Sequence, residues 1–366
     1  MSVRKIGIVT GGGDCPGLNA VIRGTVKVGL NRYGWEILGI EDACMGLIDP
    51  SYRSPHGNRL MTRDLIRDIL PRGGTILGTS SRSDPFRFVA EGSSSEEDVS
   101  DRLLQNFRDL GLDALISIGG DGSMAIAQRL FEKGIPLVGV PKTIDNDLGA
   151  TDQTFGFDTA VQTATEALDR IHDTARSHDR VMLVEVMGRD AGWIALHAGI
   201  AGGAHAILIP EIPYRAEVLT REIRQRRVQG QPYSVIVVAE GARPVDGEQS
   251  VAGQVLGGMP QLAGAAQRVA SSLQAQVDGD VRVTVLGHLQ RGGSPSSFDR
   301  ILATRFGHHA AELVAAEDFG KMVALRGSEI VSVPIAEAIG IHKAVAPQSQ
   351  LVRTARAVGI SFGDAI

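Results

Sequence analysis

The stretch KIGIVTGGGDCPG, residues 5–17, decides the fold class of this chain. It begins with a short, largely apolar run of β-branched side chains, which predicts a buried strand. Three glycines, Gly11 to Gly13, follow and lead into an amphipathic stretch near residues 17–32, which predicts a helix. Bare backbone N–H groups at the start of such a helix form an anion site. The junction also fits a simple tight turn, and it matches neither the Walker A nor the GxGxxG pattern.

The same alternation of short apolar runs and longer amphipathic stretches continues along the chain. Runs that predict strands lie at residues 5–9, 114–118, 136–140, 181–187, 205–209, 234–239 and 281–286. Stretches that predict helices lie near 17–32, 97–110, 123–133, 157–176, 215–228, 259–276 and 298–315. This pattern is typical of mostly parallel sheets with helices on both faces, so we predict an α/β fold of two Rossmann-like three-layer domains.

The connections between these elements are informative as well. No long linker divides the chain, which indicates that the two domains exchange segments. Residues 91–98 and 241–260 are rich in glycine and polar side chains, and we expect both to be solvated loops.

The composition argues against several classes of function. The 366 residues include 45 glycines, about 12% against about 7% on average, without the three-residue period of collagen. Lys and Arg number 37, Asp and Glu 42, and the net charge of -5 gives no overall positive field for nucleic acid or an anionic membrane. Two cysteines, Cys15 and Cys44, cannot form a disulfide framework, which indicates a reducing compartment. We therefore expect a cytoplasmic protein that binds neither nucleic acid nor a membrane.

A second glycine turn follows the predicted strand at residues 114–118. Its sequence is Gly119-Gly120-Asp121-Gly122-Ser123, and it opens a helix. Ligands of open α/β sheets bind at the carboxyl ends of strands, where this turn lies. Asp121 is therefore either the cap of that helix or a Mg²⁺ ligand beside a phosphate cradle.

A third polar turn follows the predicted strand at residues 136–140. Thr143, Asp145 and Asp147 alternate there, so an extended chain would point all three side chains to one side. The pattern fits an Asp/Asn turn, but its place after a third consecutive strand favours a functional cluster. Two further strand exits carry Arg189 and Arg291 between glycines, and we interpret these arginines as phosphate-binding forks instead of solvated surface residues.

Together these motifs resemble the 6-phosphofructokinase family. The resemblance runs from Ile6 to about Phe306 and rests on GGDCPGLNAVIRG, RGGTILGTS, IGGDGS, TIDND, SHDRVMLVEVMGR, AGIAGGA and VLGHLQRGGSPSSFDR. It is similar to the mixed-substrate group of that family, which has a lysine before TIDND, here Lys142. The resemblance implies a phosphoryl-donor domain of residues 1–156 plus 291–340. It implies a sugar-phosphate domain of residues 157–290 plus 341–366.

The resemblance also implies a reaction, the transfer of a terminal phosphoryl group to O1 of fructose 6-phosphate in glycolysis. Asp145 is then the base for the O1 proton, and Asp121 holds Mg²⁺ on the donor phosphates. Thr143, Arg189 and Arg82 are implied to stabilise charge on the transferring group. The donor is implied to lie on Gly13, Arg82, Gly120, Asp121, Gly122 and Ser123.

The sugar-phosphate contacts follow from the same resemblance. The implied residues are Thr143, Asp145, Asp147, Arg180, Met187, Gly188, Arg189, Glu240, Arg282, His288 and Arg291. In the family, Arg180 and Arg282 reach the 6-phosphate across a subunit interface. The resemblance therefore implies a homodimer or homotetramer whose active sites are shared between subunits.

Two positions point to different phosphoryl donors. Gly122 matches ATP users, because pyrophosphate users carry an aspartate there that would collide with and repel the inner phosphates of the nucleotide. Lys142 matches pyrophosphate users and some ATP users. We favour ATP, since an absent side chain cannot block a nucleotide, and we keep pyrophosphate, ADP or a mixed donor as alternatives.

Other features leave further alternatives open. Arg23 and Lys27 match the charge of the family's effector site, but His172 and His205 stand where an arginine and a glutamate are expected, which predicts altered or absent allostery. The tail, residues 326–366, is assigned no chemistry.

Two alternatives lie outside the family. An NAD-linked Rossmann oxidoreductase would give TIDND and the arginines no function, and a non-catalytic sugar-phosphate sensor would not need a base.

Overall fold

A computed structural model describes residues 3–52, 60–80, 82–93, 95–254 and 260–364. The chain has the predicted α/β fold, with mostly parallel sheets and flanking helices. The strands are β1 Lys5–Thr10, β2 Glu36–Ile40, β3 Phe88–Val89, β4 Glu96–Glu97, β5 Ala114–Gly119, β6 Leu137–Pro141, β7 Val181–Val186, β8 Ala206–Leu208, β9 Ser234–Ala239, β10 Val251–Gln254, β11 Pro260–Leu262, β12 Val281–Val285, β13 Lys321–Arg326 and β14 Glu329–Pro334.

The helices alternate with these strands along most of the chain. They are α1 Leu18–Val28, α2 Met45–Ile48, α3 Ser100–Asp109, α4 Asp121–Glu132, α5 Phe157–Ser177, α6 Trp193–Ala201, α7 Ala216–Val228, α8 Ala265–Gln274, α9 Ser297–Ala315, α10 Ile335–Ala338 and α11 Gln350–Ala357. A π-helical turn, Gly29–Tyr33, extends α1, and a 3-10 turn, Gly287–Gln290, follows β12. Within the described ranges, none of these helices is both long and apolar enough to cross a bilayer.

The chain divides into two compact units, each built from several segments. The first contains Met1–Thr143, Leu148–Asp158 and Arg291–His342. The second contains Ile144–Asp147, Thr159–Gln290 and Lys343–Ile366. The assignment of donor and sugar-phosphate roles to predicted domains remains a proposal.

The first unit is built on a six-stranded sheet with the order β14-β13-β6-β5-β1-β2. All neighbours are parallel except β13 and β14, which form an antiparallel hairpin. Its central strands are apolar on both faces because helices cover both, and every residue of β5 is buried. Helix α1 packs closely on α9, where a Cβ at Gly307 would lie 2.5 Å from the carbonyl oxygen of Val21.

The second unit has a four-stranded parallel sheet with the order β12-β7-β9-β8. Strands β7 and β9 are fully buried, whereas the edge strand β12 is partly exposed. The segment from Lys343 onward belongs to this unit, where Ser361 forms a bridge with Ala206 of β8 and Phe362 is fully buried. The tail therefore completes a core.

Several sequence predictions need correction at this level. The segments 91–98 and 241–260 are not pure loops, since β4 pairs with β3 and β10 pairs with β11. Strands β2, β13 and β14 and helix α6 were not predicted. Helix α6 is mostly apolar and buried, so it lacks the polar face that gives a helix its periodic pattern.

Candidate active site

The glycine loop after β1 is held by hydrogen bonds within the first unit. The Gly11 N–H donates to the Ile118 carbonyl at 2.9 Å, and the Gly12 N–H donates to the Ser80 carbonyl at 3.2 Å. The Thr79 hydroxyl donates to the Gly12 carbonyl. The loop thus lies beside the end of β5, as expected for the parallel neighbours β1 and β5.

The second glycine turn packs directly against this loop. A Cβ at Gly119 would lie 2.2 Å from the Ser123 Cβ, and one at Gly11 would lie 2.8 Å from the Ser123 hydroxyl. Close packing against the Ser123 Cβ therefore requires glycine at position 119, and at position 11 a side chain would displace the Ser123 hydroxyl. Helix α4 begins here, so its unpaired N–H groups and the positive end of its dipole favour an anion at this turn.

Gly122 differs from its neighbours in this turn. It lies exposed in the first turn of α4, and a Cβ built on it would meet no atom within 4 Å. Its backbone is not among those with positive φ. Neither the packing nor the backbone of the fold requires glycine here, so the open space is available to a ligand.

Asp121 is the first residue of α4 and lies exposed beside that space. One of its carboxylate oxygens accepts a hydrogen bond from the Gly340 N–H at 3.2 Å. Among the described residues, no three His, Cys, Asp or Glu side chains cluster as a metal site. A single exposed carboxylate at an anion-binding helix start nevertheless fits Mg²⁺, which is usually held by one or two carboxylates together with substrate phosphates.

Lys142 follows β6 and is buried, with 3% of its surface exposed. Its ammonium group donates a hydrogen bond to the Gly13 carbonyl of the first glycine loop. A Cβ at Gly12 would lie 3.5 Å from the same ammonium and 3.4 Å from the Ser123 hydroxyl. The positive charge of Lys142 therefore lies against the predicted donor loop.

Cys15, in the same loop, is not a nucleophile. Its thiol is fully buried, and this burial raises the pKa well above its ordinary range. A thiol that stays protonated at neutral pH has little nucleophilic character.

The TIDND segment, residues 143–147, is largely buried. Thr143 and Asp145 are 8% and 7% exposed, whereas Asp147 is half-buried. The Thr143 carbonyl accepts a hydrogen bond from the Thr154 hydroxyl at 2.7 Å. Asn146 has a positive φ of 53°, a left-handed conformation that asparagine tolerates better than most residues. A sharp local bend therefore separates the two aspartates, and the extended segment expected from the alternating spacing is wrong at Asn146.

Arg82 lies exposed near the glycine loop in the chain segment that follows Ser80. Its backbone N–H donates to the Ser80 hydroxyl at 3.0 Å. The segment leading to it is anchored by Asn19 of α1, whose amide donates to the carbonyls of Arg72 and Gly73 and accepts from the Ile76 N–H. We did not predict this role for Asn19. Asn19 is buried in α1, and its partners lie more than 50 residues away, so the sequence alone carries no signal for this role.

Arg291 belongs to the first unit. Its guanidinium donates to the Asp14 carbonyl at 3.0 Å, and a Cβ at Gly13 would lie 3.0 Å from it. The arginine predicted for the sugar phosphate is thus in contact with the predicted donor loop.

In the second unit, several of the predicted sugar-phosphate residues lie together at the carboxyl ends of the strands. Glu240, after β9, accepts hydrogen bonds from the N–H groups of Gly188 at 3.3 Å and Arg189 at 2.9 Å. Arg189 has a positive φ of 52°, and a Cβ at Gly241 would lie 2.1 Å from its carbonyl. Glu240 therefore fixes the strained exit of β7, a role that its sequence position alone did not reveal.

Met187 and His288 lie at the same edge. Met187 follows β7 and is half-buried, and His288 is exposed on the 3-10 turn after β12. Since β12, β7 and β9 are parallel neighbours, their carboxyl ends bring these residues and Glu240 to one side of the sheet.

Arg180 and Arg282 lie at the opposite side of the same sheet, at the amino ends of its strands. Arg180 immediately precedes β7, and Arg282 is the second residue of β12. Both guanidiniums contact one carboxylate oxygen of Asp280, at 3.1 and 2.9 Å. Strands of this length span roughly 16–20 Å, so this unit cannot bring the two arginines to Glu240 or His288.

Comparison with known proteins identifies the family. The model of the phosphofructokinase family matches residues 5–314. The chain belongs to the phosphofructokinase family. It is 51% identical to an ATP-dependent 6-phosphofructokinase of Chloroflexus aggregans, over 99% of this chain and 98% of that protein.

Two further similarities help to define its place within the phosphofructokinases. A pyrophosphate–fructose 6-phosphate 1-phosphotransferase of Streptomyces coelicolor is 49% identical over 98% of this chain and 100% of that protein. The T-state structure of Pichia pastoris phosphofructokinase superimposes with a TM-score of 0.77 at 30% identity, covering 98% of this chain and 37% of that one.

In this phosphofructokinase, His172 and His205 pack together with Tyr233. The two imidazole rings lie 5.7 Å apart, and the Tyr233 ring lies 5.4 Å from that of His205. His205 accepts a hydrogen bond from the Val235 N–H through Nδ1, and burial, with the nearby Arg226 and His172, lowers its pKa to about 4. His205 is therefore neutral at physiological pH.

Proposed function

We propose that this protein is an ATP-dependent 6-phosphofructokinase. It transfers the γ-phosphoryl group of ATP to O1 of fructose 6-phosphate, giving fructose 1,6-bisphosphate in glycolysis. The observation that carries the choice of ATP is the open space at Gly122 in the first turn of α4. The close relative from Chloroflexus aggregans, which is named ATP-dependent, supports the same choice. We place the reaction in the cytoplasm, where two free, buried thiols stay reduced.

The donor side of the proposed site is the pair of glycine turns. Gly13, Gly120, Gly122 and Ser123 offer backbone N–H groups to the donor phosphates, Gly122 also leaves open space for them, and Arg82 adds a positive charge. Asp121 would hold Mg²⁺, which neutralises phosphate charge when bound.

The acceptor side is proposed to begin with Asp145. Its carboxylate takes the O1 proton as the hydroxyl attacks phosphorus, and its burial keeps bulk water from that proton. Thr143 and Arg189 stabilise negative charge on the transferring group. Little covalent chemistry is required of the protein in such reactions, so positioning and electrostatic stabilisation supply most of the catalysis.

The sugar phosphate is proposed to bind at the carboxyl edge of the second sheet. Candidates for its contacts there are Met187, Gly188, Glu240 and His288, together with Asp147. Arg291, which lies in the first unit on the glycine loop, is a candidate from the family pattern alone. The Glu240 carboxylate already orders the exit of β7, so its loss would disturb both the sugar contact and the backbone beside Arg189.

A second copy of the chain is proposed to complete the site. Arg180 and Arg282 lie at the far edge of their own sheet, yet the family pattern assigns them to the 6-phosphate. A two-fold dimer resolves this, because each copy then lends its arginines to the other. We propose a homodimer, or a homotetramer made of two such dimers.

Pyrophosphate is the second candidate donor. Lys142 and the Streptomyces coelicolor relative favour it, since a buried lysine supplies positive charge that a small donor needs. The contact of that lysine with the Gly13 carbonyl gives it a structural task with either donor.

A donor panel tests the proposal. Purified protein is given fructose 6-phosphate, Mg²⁺ and either ATP, ADP or pyrophosphate, and fructose 1,6-bisphosphate is measured with a coupled assay. We expect the highest kcat/KM with ATP. Turnover with pyrophosphate but not ATP would overturn the donor assignment, and no turnover with any donor would overturn the enzymatic function.

A further inference from the structure

The C-terminal segment contacts the TIDND segment within the second unit. The Lys343 N–H donates to the Asp147 carbonyl at 2.8 Å. The Lys343 ammonium donates to the side-chain oxygen of Asn146 at 2.9 Å. One lysine of the tail therefore holds both residues that follow Asp145, one through its backbone and one through its side chain.

The conformation of Asn146 makes this contact consequential. Its φ of 53° is uncommon for a residue other than glycine and bends the chain between Asp145 and Asp147. Strained backbone of this kind persists only when surrounding contacts determine it, and such strain concentrates at functional sites. The hydrogen bond from Lys343 ties the Asn146 side chain down in this conformation.

Lys343 is itself held on the other side by the start of α6. The Trp193 indole N–H donates to the Lys343 carbonyl at 2.7 Å, and the ammonium lies 5.8 Å from the centre of the indole ring. Two residues on, the Val345 N–H donates to the Glu211 carboxylate at 2.8 Å, which also accepts from the Gly192 N–H at 3.0 Å. The lysine is therefore fixed from several directions.

We propose that Lys343 is a positioning residue for phosphoryl transfer, which fixes the bend at Asn146 and thereby the direction of the Asp145 carboxylate. The proposal rests on the proposed function, in which Asp145 is the base. Lys343 does not touch the reacting atoms. It acts through Asn146 and Asp147, and it gives the C-terminal tail a role in catalysis.

The test is a substitution series at Lys343 in the full-length protein. Lys343→Met keeps the length of the side chain and removes the donor, and Lys343→Arg keeps a cationic donor. A displacement of about 1 Å at a reacting group costs up to about 100-fold in rate, so we expect Lys343→Met to lower kcat by about 10- to 100-fold. We expect the KM for ATP to stay within about twofold, because the donor turns are unchanged, and Lys343→Arg to restore most of kcat.

A matched control separates this effect from general damage to the fold. Lys321 is partly exposed and donates to Asp318 at 2.7 Å, far from TIDND in the sequence. Lys321→Met removes a comparable hydrogen bond, and we expect kcat close to that of the wild type. A double-mutant cycle adds Asn146→Gly, since glycine accepts positive φ without cost. Once Lys343 is Met, this second change is expected to lower kcat by less than about threefold.

The possible results are distinct. A Lys343→Met variant with kcat within twofold of the wild type overturns the proposal, as does an arginine variant that is as slow as the methionine variant. Fully additive losses in the double-mutant cycle also overturn it. If the wild type itself makes no fructose 1,6-bisphosphate with any donor, the proposed function fails instead, which keeps the two failures apart.

Discussion

The substitution Gly122→Asp should separate the two phosphoryl donors. The new side chain enters space in which a Cβ meets nothing within 4 Å, so no protein atom needs to move. Aspartate is a better helix former than glycine, and a negative charge in the first turn of α4 is favourable. We expect a gain of about 0.5–1.5 kcal/mol in unfolding free energy, seen as an unchanged or slightly higher melting temperature.

The cost of this substitution should fall on the nucleotide. Two unit charges about 4 Å apart repel by about 1 kcal/mol in water and about 4 kcal/mol at the effective dielectric constant near a protein surface. Each 1.36 kcal/mol is tenfold in rate, so kcat/KM for ATP should fall by about 5- to 1,000-fold. Pyrophosphate use should fall much less, because a small donor lacks the inner phosphate of the nucleotide.

The assay is the coupled measurement of fructose 1,6-bisphosphate with each donor, on wild type, Gly122→Asp, Gly122→Asn and Gly122→Ala. The asparagine variant has nearly the shape of aspartate without its charge, and the alanine variant tests the Cβ alone. Equal losses with ATP and pyrophosphate would refute the reasoning, as would a loss of stability in Gly122→Asp. If Gly122→Asn lowers kcat/KM for ATP as much as Gly122→Asp does, the effect comes from the volume of the side chain and not from its charge.

Three further predictions address the base, the subunit arrangement and the histidine cluster. Asp145→Asn should lower kcat by about 10²–10⁴-fold with little change in fructose 6-phosphate binding, measured by calorimetry; a modest change in kcat would remove Asp145 as base. When Asp145→Asn and Arg282→Ala subunits are mixed, roughly a quarter of all active sites should be intact. About half of the randomly paired dimers are then hybrids, and each hybrid has one complete site out of two; no recovery of activity would contradict shared sites. Because His205 is buried and neutral, only the unfolded chain takes up a proton on it between pH 6.5 and about 4, so the unfolding free energy should fall as the pH drops through this range. Urea unfolding at several pH values measures this, and His205→Asn should flatten the pH profile. Sigmoidal fructose 6-phosphate kinetics relieved by ADP would contradict the altered or absent allostery predicted from His172 and His205.

Much of the fold was predictable because its signals are local. The central strands of both sheets are short apolar runs, and the helices between them are amphipathic, so β1, β5, β6, β7 and β9 follow from pattern alone. The hairpin β13–β14 was missed although it carries a local signal, because an apolar run in β13 and a β-branched run in β14 are separated by a turn with Gly327 at positive φ.

The candidate site divides in the same way. Glycine turns and the alternating acids of TIDND are local motifs that can be found without coordinates, whereas their donor and acceptor roles came from the family resemblance and stay predictions. The supports of the site are long-range hydrogen bonds, such as Asn19 to the segment at residues 72–76, Glu240 to the exit of β7, and Lys343 to Asn146. A single sequence carries no period or spacing for such pairs.

The glycines of the two glycine turns differ in what lies next to the position of an added Cβ. Gly119 leaves room for the Ser123 Cβ, so the fold itself accounts for this glycine, whereas a Cβ at Gly11 or Gly13 would meet the Ser123 hydroxyl or the Arg291 guanidinium. Gly122 leaves room for nothing in the protein, and its φ is not positive. A glycine in a helix costs about 0.5–1 kcal/mol relative to alanine, and here no internal contact offsets that cost. We infer that the benefit comes from a ligand that occupies this space, as in the proposed function. This distinction turns the choice of donor from a matter of motif similarity into a physical one, because only a donor that extends past the first turn of α4 would need that space.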